Sequence, residues 1–260
     1  MRKNKLLVIG DFKHAKRKRS MVRRIAQELG YSLTPQENDT GIVGAIKWEP
    51  NRVGKTEYHL SYYSGFIANN HTCNISKTPM GNSFEKVFGY NINVNPEEYE
   101  GLVVKKSNGQ GRHNGKIIQC PISKPKPACY QIFLNWRTRD GLYLKEYRIP
   151  VIGGEVPFVY YKKKTEEQKW KAGCAELEIL PTPKAFSTEE LAKINQFCDE
   201  INLDFAEIDI MRHPDTNKMY IIDVNNTPWG PPRLVEANPF ESEYVFREVS
   251  YFFKKNLIKP

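Results

Sequence analysis

Hydrophobic and polar positions change period several times along this chain, and each change marks an element. Leu6-Leu7-Val8-Ile9 is an apolar run closed by Gly10 and Asp11, the pattern of a buried strand. Met21, Val22, Ile25 and Leu29 recur at helical spacing, and Gly30 suits the position just past a helix end. Residues 41–48 (GIVGAIKW) read as a second buried strand. This β-α-β succession predicts an α/β domain. Residues 58–68 read as a further strand.

The texture changes after Glu100. Residues 102–106 predict a strand, 107–115 a glycine-rich loop and 116–120 the return strand of a long hairpin. A proline-punctuated connector (123–127) leads to strands at 130–135 and 142–152, and Gly153-Gly154 turns into a strand at 156–161. Ser187 with Glu190 three residues later forms a capping box. The helix it opens buries Leu191, Ile194, Phe197 and Ile201. Strands at 205–212 and 219–225 flank a turn, and a helix over 239–257 follows, with Phe240, Tyr244 and Phe252 on its apolar face. The pattern divides into an N-terminal α/β unit (1–95), a central lid and hinge unit (96–175) and a C-terminal unit (176–260).

Composition narrows the class. A chain of 260 residues supports one large or two modest domains without disulfide staples. Its five cysteines are odd in number and form no CxxC, which argues against structural zinc and against a disulfide framework. No apolar run approaches the roughly 20 residues that span a bilayer, and no apolar stretch suited to a signal peptide follows the basic start. We expect a soluble, cytoplasmic protein that engages no membrane. The net charge of +9 is local: ten basic residues between Arg2 and Arg24 face one acid, Asp11, and the other 236 residues balance at 29 of each sign. Such a cluster attracts an anionic substrate or nucleic acid, or else decorates a solvated helix face.

The sharpest chemical signal is FAEIDIMR followed by MYIIDVNNTPWGPP. Residues two apart in a strand share a face, so Asp223 and Asn225 point together while Ile222 and Val224 point to the core. Asp209 joins them only if paired positions sum to an even number. That requires an odd-length turn, such as 214–218, or a bulge. Asp209, Asp223 and Asn225 would then supply hard oxygen ligands for Mg²⁺, with phosphates and water completing its sphere; otherwise they are polar strand ends on a solvated face. The second signal is Lys105-Lys106 followed by the glycine-rich loop, where backbone N–H groups approach phosphate and a lysine adds charge.

Together these residues resemble the ATP-grasp superfamily. The resemblance covers about residues 74–232 and is most specific at the metal hairpin. It implies an α/β ATP-grasp fold clamping ATP between two subdomains, with Asp209, Asp223 and Asn225 on Mg²⁺. Lys106, with Ser107, Gly109 and Gly111, resembles the lid strand and loop, and Lys105 is the fallback lysine. Lys77 resembles the earlier nucleotide-pocket lysine. Residues 130–134, with Gln131, Phe133 and Leu134, resemble the adenine-contacting hinge. Arg148 resembles the arginine facing the transferred phosphoryl group. The implied activity is an ATP- and Mg²⁺-dependent ligase joining a carboxylate to an amine through an acyl-phosphate, with Arg148 and Lys106 catalytic. The acceptor is unidentified, and the basic cluster favours an anionic one. Two alternatives stand beside it: an ATP-grasp kinase acting on a hydroxyl, and a nucleic-acid-binding protein with a vestigial fold. The sequence departs from the family in carrying Asp223 where many members have Glu and in its short 121–129 connector.

Overall fold

The computed structural model describes residues 4–50, 57–72, 74–108 and 114–258. Four parallel strands form the first sheet, in the order β2-β1-β3-β4: β1 (Lys5–Gly10), β2 (Ser32–Thr34), β3 (Ile42–Trp48) and β4 (Ile67–Ala68). Two helices, α1 (Phe12–Ala15) and α2 (Met21–Glu28), link β1 to β2. One helix was expected here. The chain instead turns at 16–20, because Ser20 pairs with Trp229 and the Met21 amide donates to the Pro228 carbonyl at 3.0 Å. Gly10 closes β1 at φ +94°, and a Cβ there would lie 2.8 Å from the Glu49 side chain. The expected strand at 58–68 contracts to β4. Side chains take the backbone donors a ladder would use: Tyr58 N–H donates to Asn70 Oδ1 (2.9 Å) and Tyr62 N–H to Glu37 Oε2 (3.0 Å).

Helix α3 (Lys77–Phe88) leads to a three-stranded antiparallel sheet, β6-β5-β7, built from β5 (Gly101–Lys106), β6 (Lys116–Cys120) and β7 (Cys129–Ile132). The largest sheet runs β10-β9-β8-β11-β12, all antiparallel neighbours: β8 (Leu144–Ile152), β9 (Val159–Lys164), β10 (Glu176–Leu180), β11 (Phe205–Arg212) and β12 (Met219–Asn225). A unit boundary at 175/176 falls between β9 and β10, which are hydrogen-bonded partners. Helices α4 (Thr182–Ala185) and α5 (Thr188–Glu200) precede β11, and α6 (Arg233–Ala237) and α7 (Pro239–Leu257) follow β12. The capping box at Ser187 and Glu190 forms as read.

Period-2 burial sets the faces of the large sheet. Ile149, Val151, Ile208, Ile210 and Val224 share one core with Ile194, Phe197 and Cys198 of α5. The opposite face carries the charged residues described below. A second core joins β1, β3 and α2 to α7 and to Phe158, Tyr160 and Phe205 of the large sheet and its approach, so the first and last elements of the chain pack together. On α7 the buried residues are Val245, Phe246, Val249, Ser250, Phe253 and Leu257, whereas Phe240, expected on the apolar face, is exposed. It sits in the first turn, before the helix reaches the core. Among the described residues, Cys120, Cys174 and Cys198 are free thiols.

Asn69 fastens the first sheet to the large one. Fully buried at φ +60°, its Oδ1 accepts from the Asp204 and Phe205 amides (2.8 and 2.9 Å) and its Nδ2 donates to the Phe205 carbonyl (2.8 Å). Asn is one of the few non-glycine residues that tolerates this backbone conformation. Replacing Asn69 by Ala strands two backbone donors and one acceptor. We expect a loss of about 3 kcal/mol in unfolding free energy by urea titration. A loss below about 1 kcal/mol would show that the two sheets are held chiefly by their shared core.

Candidate active site

A cavity opens between the three-stranded sheet and the charged face of the large sheet. Its volume is about 180 Å³. The same period of two selects its lining: Val104 and Lys106 from β5, Glu146 and Arg148 from β8, Asp209 and Met211 from β11. Lys77, the first residue of α3, enters from the side, and its Nζ lies 3.4 Å from Asp223 Oδ1.

Alignment of Asp209 with Asp223 depends on a bulge. Arg212 pairs with Met219 and Ile210 with Ile221, a register that would set Asp209 against Ile222. The register shifts between Asp209 and Ile210, so Ile222 is the extra residue and Asp209 stands opposite Asp223. The turn is the six residues 213–218, closed by His213 N–H to the Lys218 carbonyl at 2.9 Å, rather than five. Of the two routes open from the sequence, the chain takes the bulge. Ile222, expected in the core, consequently also reaches the cavity wall.

Charge is concentrated on this face. Arg148 grips Asp209 with two hydrogen bonds, Nε to Oδ1 at 2.7 Å and Nη2 to Oδ2 at 2.8 Å. Burial alone would raise the Asp209 carboxyl, but Arg148 and Lys162 hold it far below the ordinary carboxylate range. Glu146 is bracketed by Lys162 and Lys164, the latter at 3.0 Å, and their pull overcomes burial to lower its carboxyl too. Burial lowers the Lys106 ammonium, opposed by Asp223, and its Nζ donates to Gln131 Oε1 at 3.0 Å. The cavity wall thus carries six cations (Lys77, Lys106, Arg148, Lys164, Lys169 and Lys171) against three carboxylates (Glu146, Asp209 and Asp223). The excess suits a polyphosphate.

The other end is apolar, with Val104, Ile132, Leu134, Met211, Ile222 and Trp136. Lys169 lies within 6 Å of the rings of Trp136, Trp170 and Phe133 (5.3, 5.7 and 5.9 Å). A Cβ on Gly115 would approach Trp170 to 2.6 Å, so glycine there permits close contact between the hairpin and this turn.

The structure brings Lys77, Lys106, Ser107, Gln131, Leu134, Arg148, Asp209 and Asp223 to one cavity. Lys105 lies instead over the Tyr130 ring at 5.7 Å, as strand alternation demands. Phe133 stacks toward Trp136 (5.8 Å) outside the cavity wall. Asn225 also lies outside that wall, and its Oδ1 accepts from Thr227 N–H at 3.1 Å. Gly109 and Gly111 fall outside the described residues. Sequence reading missed Glu146, Lys162 and Lys164. Their signal is charge at alternate positions within apolar strands, and the expected strand at 156–161 stops short of Lys162 and Lys164, which β9 includes.

The donor set fits a nucleotide with a divalent ion. Gln131 is buried, its Oε1 accepts from Lys106, and its Nε2 has no partner among the described residues, leaving a donor at the apolar end for a purine edge. Asp223 offers carboxylate oxygen on the cavity wall beside Lys77. Asp209 would reach a metal only by sharing oxygens that Arg148 now holds. Among the described residues no three His, Cys, Asp or Glu cluster as a metal site, so the ion would rely on phosphate and water for most of its sphere.

Glu207 lies two residues before Asp209 on the same face. It is 4% exposed, and its Oε2 is 3.4 Å from Arg148 Nη1. Burial pushes its carboxyl up to about 7 against the pull of Arg148. The folded protein therefore keeps a proton there that the unfolded chain releases above about 4.5. Stability contributed by that proton is present below the unfolded value and is lost as pH rises through about 7. Glu207→Gln should match wild type near pH 5 and exceed its stability at pH 8 by about 1–3 kcal/mol, by urea titration in EDTA. An equal offset at both pH values would contradict the shift.

No protein-family model matches the sequence, and no curated protein matches it. Solved structures match across nearly the whole chain. The ATP-grasp ligase PsnB complexed with minimal precursor, Mg and ADP superposes with TM-score 0.58 at 10% identity, covering 98% of this chain and 99% of that one. D-alanine–D-alanine ligase from Bacillus anthracis complexed with ATP gives TM-score 0.56 at 11% identity, covering 97% of each. The macrocyclase MdnC from Microcystis aeruginosa, bound with precursor peptide MdnA, gives 0.51 at 14%, covering 98% and 100%. The order of sheets, the cleft between them and these superpositions agree: the chain has the ATP-grasp fold.

Proposed function

We propose that this protein is an ATP- and Mg²⁺-dependent ligase that joins a carboxylate to an amine through an acyl-phosphate. The observation that carries this reading is the convergence of Lys77, Lys106 and Arg148, from three separate elements, on one cavity that also holds Asp209 and Asp223. Both the PsnB and the D-alanine–D-alanine ligase structures contain a nucleotide, and both are named ligases, which supports the same class here. No helix among the described residues is long and apolar enough to cross a membrane.

In this reading the apolar end, with Gln131 and Leu134, receives the base. Lys77 and Lys106 hold phosphate oxygens, and Mg²⁺ on Asp223, with Asp209 and Asn225 as the further ligand candidates, would neutralise charge on the transferred phosphoryl group. Arg148 sits where it can stabilise that group in flight, and its grip on Asp209 fixes its orientation beforehand. No nucleophilic serine or cysteine is required, because acyl transfer through a mixed anhydride asks for positioning and charge neutralisation.

Wild-type protein incubated with ATP, Mg²⁺ and pooled carboxylate and amine pairs should release phosphate and yield an amide by mass spectrometry. A stable phosphoester instead would make it a kinase. Asp223→Asn should abolish turnover while leaving the fold intact; activity within a few-fold of wild type would remove Asp223 from the site. The two adjacent lysines separate cleanly. Lys106→Met should lower kcat/KM about 100-fold or more, while Lys105→Met, which removes a cation outside the cavity, should change it less than about threefold.

A further inference from the structure

Arg148 and a metal ion make competing claims on Asp209. The guanidinium takes both carboxylate oxygens, Nε to Oδ1 at 2.7 Å and Nη2 to Oδ2 at 2.8 Å. Asp209 cannot turn an oxygen toward a cation in the cavity without loosening one of these bonds. Arg148 would then be less firmly held on the wall where charge develops in the ligase reading. A long side chain loosened in this way loses the fixed orientation on which charge stabilisation depends.

A second carboxylate stands on the same strand. Glu207 and Asp209 are two apart on β11, so both project onto the charged face, with Cα atoms about 7 Å apart. Asp209 pairs directly opposite Arg148, and Glu207 opposite Pro150, two residues further along β8. The guanidinium lies within reach of both, as diagonal neighbours across strands are for long side chains. Its Nη1 donates to Glu207 Oε2 at 3.4 Å, the long contact of a partner not fully engaged. Glu207 is buried, and its Oε1 has no hydrogen-bond partner among the described residues. The Tyr160 hydroxyl, on the β9 residue paired with Arg148, is also buried without one. A buried acceptor left unpaired costs its desolvation, so native structures rarely keep one without a use. Glu207 is absent from the cavity wall and can act there only through Arg148.

We propose that Glu207 is a positioning residue: it takes over the Arg148 guanidinium when Asp209 shares its carboxylate with a metal–nucleotide complex. This deepens the ligase reading and rests on it. In the unliganded protein Asp209 carries the grip, and Glu207 contributes one long hydrogen bond. Once Asp209 is shared, the unpaired Oε1 and the weakly engaged Oε2 of Glu207 become the stronger acceptors. A guanidinium prefers two parallel bonds to one carboxylate, and Glu207 has both oxygens to offer. The exchange breaks no covalent bond. It passes hydrogen bonds from one carboxylate to the next on the same strand face, and the cation stays at the wall.

Two variants test this. Glu207→Leu removes both acceptor oxygens at similar size and leaves Arg148 paired with Asp209, so no buried charge is stranded. Glu207→Gln keeps one acceptor oxygen. Binding of AMPPNP, a non-hydrolysable ATP analogue, is measured by calorimetry with Mg²⁺ and, separately, in EDTA. The Arg148 Nε–H signal, assigned with Arg148→Lys, is followed by ¹H–¹⁵N NMR in the same samples. In EDTA the signal should be sharp and alike in wild type and both Glu207 variants, because Asp209 holds the guanidinium. With Mg²⁺ it should shift yet stay sharp in wild type, and broaden beyond detection in Glu207→Leu. The gain in AMPPNP affinity on adding Mg²⁺ should be about tenfold smaller in Glu207→Leu than in wild type. Glu207→Gln should restore most of both effects. A broadened signal in Glu207→Leu already in EDTA would overturn the proposal, since Glu207 would then belong to the resting grip. An Arg148 signal that does not move when wild type takes up Mg²⁺ and AMPPNP would do the same, because Asp209 would never have been shared. So would equal Mg²⁺ gains and equally sharp signals in wild type and Glu207→Leu. Each of these leaves the ligase reading standing, because AMPPNP still binds. Failure of wild type to bind AMPPNP under either condition sinks that reading, and this proposal with it.

Discussion

The arrangement of the site depends on the paired charges across the face of the large sheet. Arg148 and Asp209 meet in a bidentate contact between adjacent strands, and Glu146 stands between Lys162 and Lys164. Transferring any one of these ions from water costs several kcal/mol, and only close pairing returns it. Each therefore constrains the others. With Lys162 1% exposed and Glu146 6% exposed, neither can lose its partner and turn to solvent. Such a network adds little net stability, but removing one member leaves a buried charge, at a cost of about 3–5 kcal/mol. Its main effect is to fix the positions of these cations relative to one another.

That face exists because a single extra residue corrects the register. The six-residue turn after β11 sets the wrong parity, and the bulge at Ile222 restores it before Asp223. The alternation of Asp223 with Val224 and Asn225 was readable in the sequence, as was the condition that a bulge or an odd turn must intervene. Which of the two occurs was not, since both satisfy the same parity. The bulge has a second consequence: Ile222 gains access to the cavity wall without leaving the core cluster. One residue thus supplies both acid alignment and part of the apolar end.

Legibility followed how local each signal was. The capping box at Ser187, the paired strands flanking 213–218 and the hairpin around 107–115 depend on neighbours within a few positions, and each was read correctly where it is described. The choice of Lys106 over Lys105 turned on strand parity relative to a partner sheet, which the sequence left open between two adjacent lysines. The break between α1 and α2 was invisible because its cause lies two hundred residues away, in the backbone contacts of Pro228, Trp229 and Gly230. The contraction of the 58–68 strand has a similar origin, since Asn70 and Glu37 capture its amides.

Those long-range contacts also tie the first sheet to the hairpin that lines the site. The first sheet is fastened at two places: by Asn69 to the start of β11, and by Arg19, Ser20 and Met21 to the loop after β12. Both attachments fall on the hairpin that carries Asp209 and Asp223, one before its first strand and one after its second. The hairpin is thereby held from both ends against the same rigid sheet, while α7 covers the shared core. A shift of the first sheet would have to break buried hydrogen bonds at Asn69. The candidate metal strand and the basic turn are thus tied to each other through backbone hydrogen bonds, while the three-stranded sheet faces the charged wall from the opposite side of the cleft.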